Sequence, residues 1–233
     1  PHSEIRHYLN YMRVTDENMI RLYFKLRSEA VGQCGRVKGQ RLPVAFIEDT
    51  VVPPESLHDY LKEFRGLLDL HGLSYAIYGH VDVGCIHVRP ALDLKSVDDV
   101  KLVQVLSEQV LELVKKYKGL FWGEHGKGYR SEFIKMVFGE TLYQELQKIK
   151  KVADPNNQLA PGNIVVPFGS SDIVKQIDSS LRGAFDRDIS VSDKERYAWL
   201  FKCNGNGLCH AFTQSNVMCP SYKATHDHVH SPK

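Results

Sequence analysis

The stretch from residue 42 to residue 123 constrains this chain most, because its apolar positions change period four times in a fixed order. Leu42-Pro43-Val44-Ala45-Phe46-Ile47 is a short apolar run suited to a strand. Pro53-Pro54-Glu55 follows, and proline is tolerated there only at the start of a helix. Leu57, Tyr60, Leu61, Phe64, Leu67 and Leu68 fall on one helical face that stops at His71-Gly72. Ser74–Tyr78 and Cys85–Arg89 read as two strands joined by a glycine-containing connection. Ser96-Val97-Asp98-Asp99 resembles a capping box, opening a helix to about Tyr117 with Val100, Val103, Leu106, Val110, Leu113 and Val114 at helical spacing. Gly119-Leu120-Phe121-Trp122 supplies a last short strand. The order β-α-β-β-α-β predicts an α+β fold, a split βαβ (ferredoxin-like) antiparallel sheet with both helices on one face. The other face is left to meet a ligand or another domain.

Outside that block, residues 17–31 carry Met19, Ile20, Leu22, Tyr23, Leu26, Ala30 and Val31 at mixed three and four spacing, predicting a helix with one buried face. Residues 126–152 read as helical with an interruption near Phe138-Gly139-Glu140, and Asp154-Pro155-Asn156-Asn157 ends the pattern. We expect a first domain over 1–167, a helical linker over 168–200, and a short cysteine-bearing tail over 201–233.

At 233 residues and 42% hydrophobic content, the chain can bury one good core or two small ones. Thirty Lys and Arg against 28 Asp and Glu leave no electrostatic footprint for nucleic acid, which is not an expected partner. No apolar stretch approaches the roughly 18–20 residues that span a bilayer, and the first residues lack a basic-then-apolar secretory pattern. Five cysteines, an odd number, do not form the dense even framework of a secreted disulfide protein. The expected setting is cytoplasmic, or peripheral to the inner membrane. A start at Pro1 and an end at Lys233, just beyond a cysteine cluster, mark the chain as an expected fragment of something longer.

His80 and His87 flank the turn between two predicted strands, so both can project toward one end of the sheet. Glu124 follows the last strand. Two imidazoles and a carboxylate make a mixed N/O set suited to Zn²⁺, Mn²⁺ or Fe²⁺; hydrogen-bonded strand histidines are the plainer reading. Glycines on both sides of Glu124-His125 leave that pair uncrowded. Neighbouring strand side chains face opposite ways, so His125 needs an irregular backbone to reach the same cavity. A histidine there suits general-base work near neutrality.

Cys203-x₅-Cys209-x₉-Cys219-Pro220 sets three thiolates near one another, and Cys-Pro is a common ending of ferredoxin-type cluster motifs. Three cysteines fall one short of a Cys₄ site. Zinc binding with His210 competes with the cluster, as do unligated thiols. Cys34, Cys85 and Trp122 are expected in the core.

Gly79-His80…His87, Gly123-Glu124-His125-Gly126 and Asp154-Pro155…Pro161-Gly162, in that order, resemble the C-terminal substrate (cap) domain of FAD-linked 2-hydroxyacid oxidoreductases of the vanillyl-alcohol-oxidase type. The resemblance covers about residues 1–167. The tail around Cys203, Cys209 and Cys219 is similar to the bacterial D-2-hydroxyglutarate dehydrogenase subgroup, in which an iron–sulfur region follows the flavin part. The resemblance implies a D-2-hydroxy acid substrate oxidised to the 2-keto acid, D-2-hydroxyglutarate foremost. It implies His80, His87 and Glu124 as ligands of a divalent metal, His125 as the base, and Arg27 as a holder of the substrate carboxylate. It also implies FAD on a separate domain of the same protein, a 4Fe-4S cluster on Cys203, Cys209 and Cys219, and onward transfer to an unspecified electron acceptor.

The family's Gly-Asp-Gly-Asn between the two histidines is here Asp82-Val83-Gly84-Cys85. Arg89 stands where relatives often have a substrate-contacting asparagine, and a second cation there favours a dicarboxylate over lactate. The lysine that relatives place before the equivalent of Asp49 is missing. No glycine-rich phosphate cradle appears, so the chain alone is not expected to hold FAD tightly or to act as a dehydrogenase. As part of a flavoprotein it is expected to expose an apolar sheet face and so to form a homodimer or take up a hydrophobic dye. The competing readings are a noncatalytic metal- or partner-binding domain and a zinc hydrolase built on His80, His87 and Glu124.

Overall fold

A computed structural model of the chain describes residues 12–33, 41–128, 130–177, 181, 185–201, 210, 212 and 219–230. The chain divides into two compact units, residues 1–189 and 190–233.

The first unit opens with helix α1 (Glu17–Gln33), started by Asp16, whose Oδ1 accepts from the Met19 N–H at 2.9 Å. Its Met19, Leu22, Tyr23 and Leu26 are exposed rather than buried. Periodicity reports an apolar stripe but not what covers it. Strands β1 (Leu42–Pro43) and β2 (Thr50–Val51) both pair antiparallel with β4 (Cys85–Leu92), on the same side. On its other side β4 pairs antiparallel with β3 (Tyr75–His80). Val51 bridges to Leu120, so the expected last strand is reduced to a single bridge. The lateral order is therefore Leu120, β1/β2, β4, β3, which is the split βαβ arrangement.

Helices α2 (Leu57–Leu70) and α3 (Val97–Lys116) pack together over one face. Tyr60, Phe64 and Leu68 of α2 and Val103, Leu106 and Val110 of α3 are fully buried against Ile86 and Val88. Each such side chain contributes about 1.5–3 kcal/mol by leaving water. Ser96 caps α3 by accepting from the Asp99 N–H, but Asp99 does not complete a capping box. Its carboxylate instead takes both guanidinium nitrogens of Arg41, at 2.9 and 2.7 Å, and the Asp93 N–H at 2.8 Å.

The opposite sheet face differs from expectation. Register pairs Tyr78 with His87, His80 with Cys85 and Ala76 with Arg89, and paired residues share a face. That face is polar, because alternation along β3 and β4 puts Ile77 and Val88 inward and the two histidines, Tyr78 and Arg89 outward.

Helix α4 (Ile134–Ala153) is broken where expected: Gly139 sits at φ 76, ψ 171, a conformation that favours glycine. Beyond it, buried Asp154 accepts from Lys150 Nζ at 2.6 Å and from the Gln158 and Leu159 N–H groups at 2.9 and 2.8 Å. The Asp-Pro loop is thereby a structural knot. The chain then returns to the core, where Ile177 is buried and its N–H donates to Glu132 Oε1 at 2.8 Å.

In the second unit, helices α5 (Val191–Arg196) and α6 (Pro220–Thr225) are described. Phe212 packs its ring against Tyr222 and His226 at centroid distances of 5.2 and 4.6 Å. No helix among the described residues is long and apolar enough to cross a membrane.

Candidate functional site

The polar sheet face becomes a site because β1 and β2 do not join into one strand. Six residues separate Pro43 from Thr50, while four separate Ala91 from Ile86 on β4. The two extra residues bulge out of the ladder. Alternation lapses there: Phe46 and Ile47 both enter the core, and Glu48 and Asp49 both lie at the other face.

Asp49 shapes the loop at residues 123–125. It is buried and left-handed, at φ 73. Its Oδ1 accepts from the Glu124 N–H at 2.8 Å, and its Oδ2 accepts from the Gly123 and His125 N–H groups, each at 3.0 Å. Its own carbonyl accepts from the Gly123 N–H at 2.8 Å. A carboxylate that collects three successive N–H groups folds the backbone around itself. Residue 123 must be glycine, since a Cβ there would stand 2.6 Å from Val51 Cγ2 and 2.9 Å from Asp49 Oδ1. The irregular backbone turns Glu124 and His125 into one cavity.

Three imidazoles meet one carboxylate oxygen there. Glu124 Oε1 lies 3.0 Å from His87 Nε2, 3.2 Å from His80 Nε2 and 3.5 Å from His125 Nε2. His87 is buried between its neighbours, stacked on His125 at 4.8 Å and edge-on to His80 at 5.7 Å. Burial, and then the adjacent His125, push the His87 pKa down, so it is neutral at physiological pH. The Cys85 thiol faces Asp49 Oδ1 at 3.7 Å, and burial beside Asp49 and Glu124 pushes its pKa up to about 12.

This donor set fits a divalent cation. Ligand atoms about 2.1 Å from one ion stand about 3.0–3.4 Å from one another, which brackets the His80 and His87 distances to Glu124. Three Nε2 atoms also oversubscribe one carboxylate oxygen as plain hydrogen-bond donors. His87 Nδ1 is buried with no hydrogen-bond partner among the described residues. Asp49, His87, Glu124 and His125 each offer a ligand atom within 4.8 Å of the others, although both Asp49 oxygens are already committed to backbone N–H groups; His80 stands outside that group and reaches Glu124 Oε1.

Of the residues singled out from sequence, His80, His87, Glu124 and His125 converge, and Arg89 lies beside them. Arg89 Nε donates to Glu48 Oε2 at 2.6 Å, and its guanidinium lies over the Tyr78 ring at 5.4 Å. Arg27 is exposed on α1 and is not among the groups that meet at Glu124. Cys219, half-buried at φ 49, precedes α6, while Cys203, Cys209 and Cys34 lie outside the described residues. Trp122 is in the core, as expected. Cys85 is buried but faces Asp49 rather than the core, because its register partner is His80.

The family of FAD linked oxidases, C-terminal domain, matches residues 7–164. The chain belongs to that family. It is also 46% identical, over 97% of its length, to the D-2-hydroxyglutarate dehydrogenase of Pantoea ananatis, and 48% identical, over 90%, to that of Escherichia coli. The glycolate oxidase subunit GlcD of Bacillus subtilis is 24% identical over 59% of the chain. The chain spans about a fifth of the length of the two dehydrogenases, 22% and 21% respectively. Within this FAD-linked oxidase domain, sequence reasoning missed Glu48 and Asp49. Their only signal was a pair of acids directly after the apolar run 42–47, where a continuing strand would alternate.

Proposed function

We propose that this chain is the substrate-side domain of an FAD-linked D-2-hydroxyacid dehydrogenase, with D-2-hydroxyglutarate as the favoured substrate. The observation that carries the reading is the convergence of His80, His87 and His125 on Glu124 Oε1 within 3.0–3.5 Å. It is supported by the D-2-hydroxyglutarate dehydrogenases that the chain resembles over nearly its whole length.

In this reading His80, His87 and Glu124 hold a zinc, manganese or iron ion. When bound, the metal supplies positive charge at the substrate's hydroxyl and carboxylate oxygens, and FAD, carried outside this chain, supplies the acceptor for the α-hydride. His125 takes the hydroxyl proton at an imidazole nitrogen, which leaves the carbonyl of the 2-keto acid. Arg89 sits within reach of the same face and holds a substrate carboxylate, the distal one of a diacid; Arg27 supplies a second cation. Buried His87 keeps water from one side of the cavity. Cys203, Cys209 and Cys219 would contribute ligands to a 4Fe-4S cluster, which would supply onward electron transfer to an acceptor. A cytoplasmic or membrane-peripheral setting and a homodimer accompany this proposal.

The test is element-resolved metal content of the purified chain, wild type against the His80→Ala/His87→Ala double variant. About one equivalent of zinc, manganese or iron, lost in the variant, supports the site. In the full-length flavoprotein, His125→Ala should slow flavin reduction by D-2-hydroxyglutarate about 100-fold or more. Reduction at the wild-type rate would overturn the role given to His125.

A further inference from the structure

Glu48 faces two of the groups to which that reading gives roles. One carboxylate oxygen, Oε2, accepts from Arg89 Nε at 2.6 Å. The other, Oε1, stands 3.6 Å from His125 Nδ1. The Glu48 side chain is only 14% exposed, whereas Arg89 and His125 are 28% and 48% exposed. Its backbone is fixed by the bulge, next to Asp49, which grips the His125 N–H. Glu48 is therefore the most enclosed of the three, and it faces each of the others with a different oxygen.

We infer that Glu48 is a positioning residue for substrate oxidation, one that sets the His125 ring and the Arg89 guanidinium in register with each other. The inference rests on the roles proposed above for His125 and Arg89. A carboxylate facing Nδ1 favours the tautomer with its proton on that nitrogen and leaves the Nε2 lone pair toward the cavity, where Nε2 already stands 3.5 Å from Glu124 Oε1. The 3.6 Å separation is longer than a formed hydrogen bond, and such contacts shorten when substrate fills a site. On the other side, the bond from Nε fixes where the Arg89 guanidinium sits relative to Glu48. A diacid held by Arg89 would then bring its hydroxyl to a base whose orientation is set by the same side chain.

The experiment uses the full-length flavoprotein with Glu48→Gln, Glu48→Ala and His125→Ala, measuring the rate of flavin reduction, the substrate KM, metal content and melting temperature. Glu48→Gln keeps the shape and an acceptor for Arg89 but loses the charge opposite Nδ1. It should slow flavin reduction about 10–100-fold with metal content and melting temperature unchanged. Glu48→Ala should add a rise in KM for D-2-hydroxyglutarate, and added formate should restore part of its rate. Glu48→Gln within twofold of wild type, while His125→Ala is crippled, would overturn the inference alone. Wild-type reduction by His125→Ala would remove its premise. Equal losses of melting temperature and rate in both Glu48 variants, without formate rescue, would make Glu48 a stabilising residue only and also overturn the inference.

Discussion

The backbone N–H of Glu124 donates to Asp49 Oδ1 across 2.8 Å, joining residues 75 positions apart. Asp49 is where the last element of the sheet is turned into the loop that carries Glu124 and His125. Replacing Asp49 with Ala removes the side-chain acceptor of three successive N–H groups at once, of which only that of Gly123 keeps the Asp49 carbonyl. We expect a loss of about 2–4 kcal/mol, read as a lower midpoint of urea unfolding with an unchanged slope. Asp49→Asn should recover only part of this, since its amide nitrogen faces donors. A midpoint unchanged in Asp49→Ala would mean that the loop holds itself.

Cys85 should be inert. Its thiol pKa of about 12 leaves almost no thiolate at pH 8, and the side chain is buried beneath Gly123. Iodoacetamide at pH 8 should leave Cys85 unmodified in the native chain and modify it in urea, as mass mapping of the peptide will show. Native labelling at the rate of a free thiol would contradict the packing around Asp49.

Asp154 gives the fold a pH signature. Its hydrogen bond from Lys150, followed by the N–H groups of Gln158 and Leu159, lowers its folded pKa to about 2 from a usual 3.8. A depressed carboxylate stabilises the fold fully above the unfolded value and loses that contribution as pH falls through the folded one. The loss should run from about pH 4 down to about pH 2. Asp154→Asn should be less stable than wild type at pH 7, and the difference should shrink through that window. Parallel melting curves of the two at pH 7 and pH 3 would refute the assignment.

Arg89 should separate diacids from monoacids. In the full-length flavoprotein, Arg89→Gln should raise KM for D-2-hydroxyglutarate about 10–100-fold and change that for D-lactate much less, because only the diacid has a second carboxylate to lose. Equal effects on both substrates would move Arg89 to the carboxylate they share.

Wherever a single period ran long enough, the sequence was sufficient. The stripes of α2 and α3, the glycine break in α4 at Gly139 and the pairing of β3 with β4 follow from spacings visible in the chain. His80, His87, Glu124 and His125 were readable because glycines and strand ends frame them. The stretch 42–51 was not, since its two extra residues change which face each side chain takes, and that offset is defined only against β4. Neither Glu48 nor Asp49 was therefore singled out as a site residue. The stripe of α1 misled in the other direction: Leu22, Tyr23 and Leu26 have helical spacing, yet they remain exposed. The sheet's outer face was expected to be apolar because a domain was expected to cover it, and its alternating Tyr78, His80, His87 and Arg89 make it polar instead.

The bulge between β1 and β2 makes the chemistry separable from the architecture. Shortening residues 44–49 by two would let the edge strand run straight from Leu42 to Val51, and the helices on the far face would still find Ile86 and Val88 to pack upon. Such a trimmed chain would keep its sheet order and lose Glu48 and Asp49 from the cavity. Two residues beyond the count of the facing strand are thus what carry Glu48 and Asp49 to the face that bears His80, His87 and Arg89.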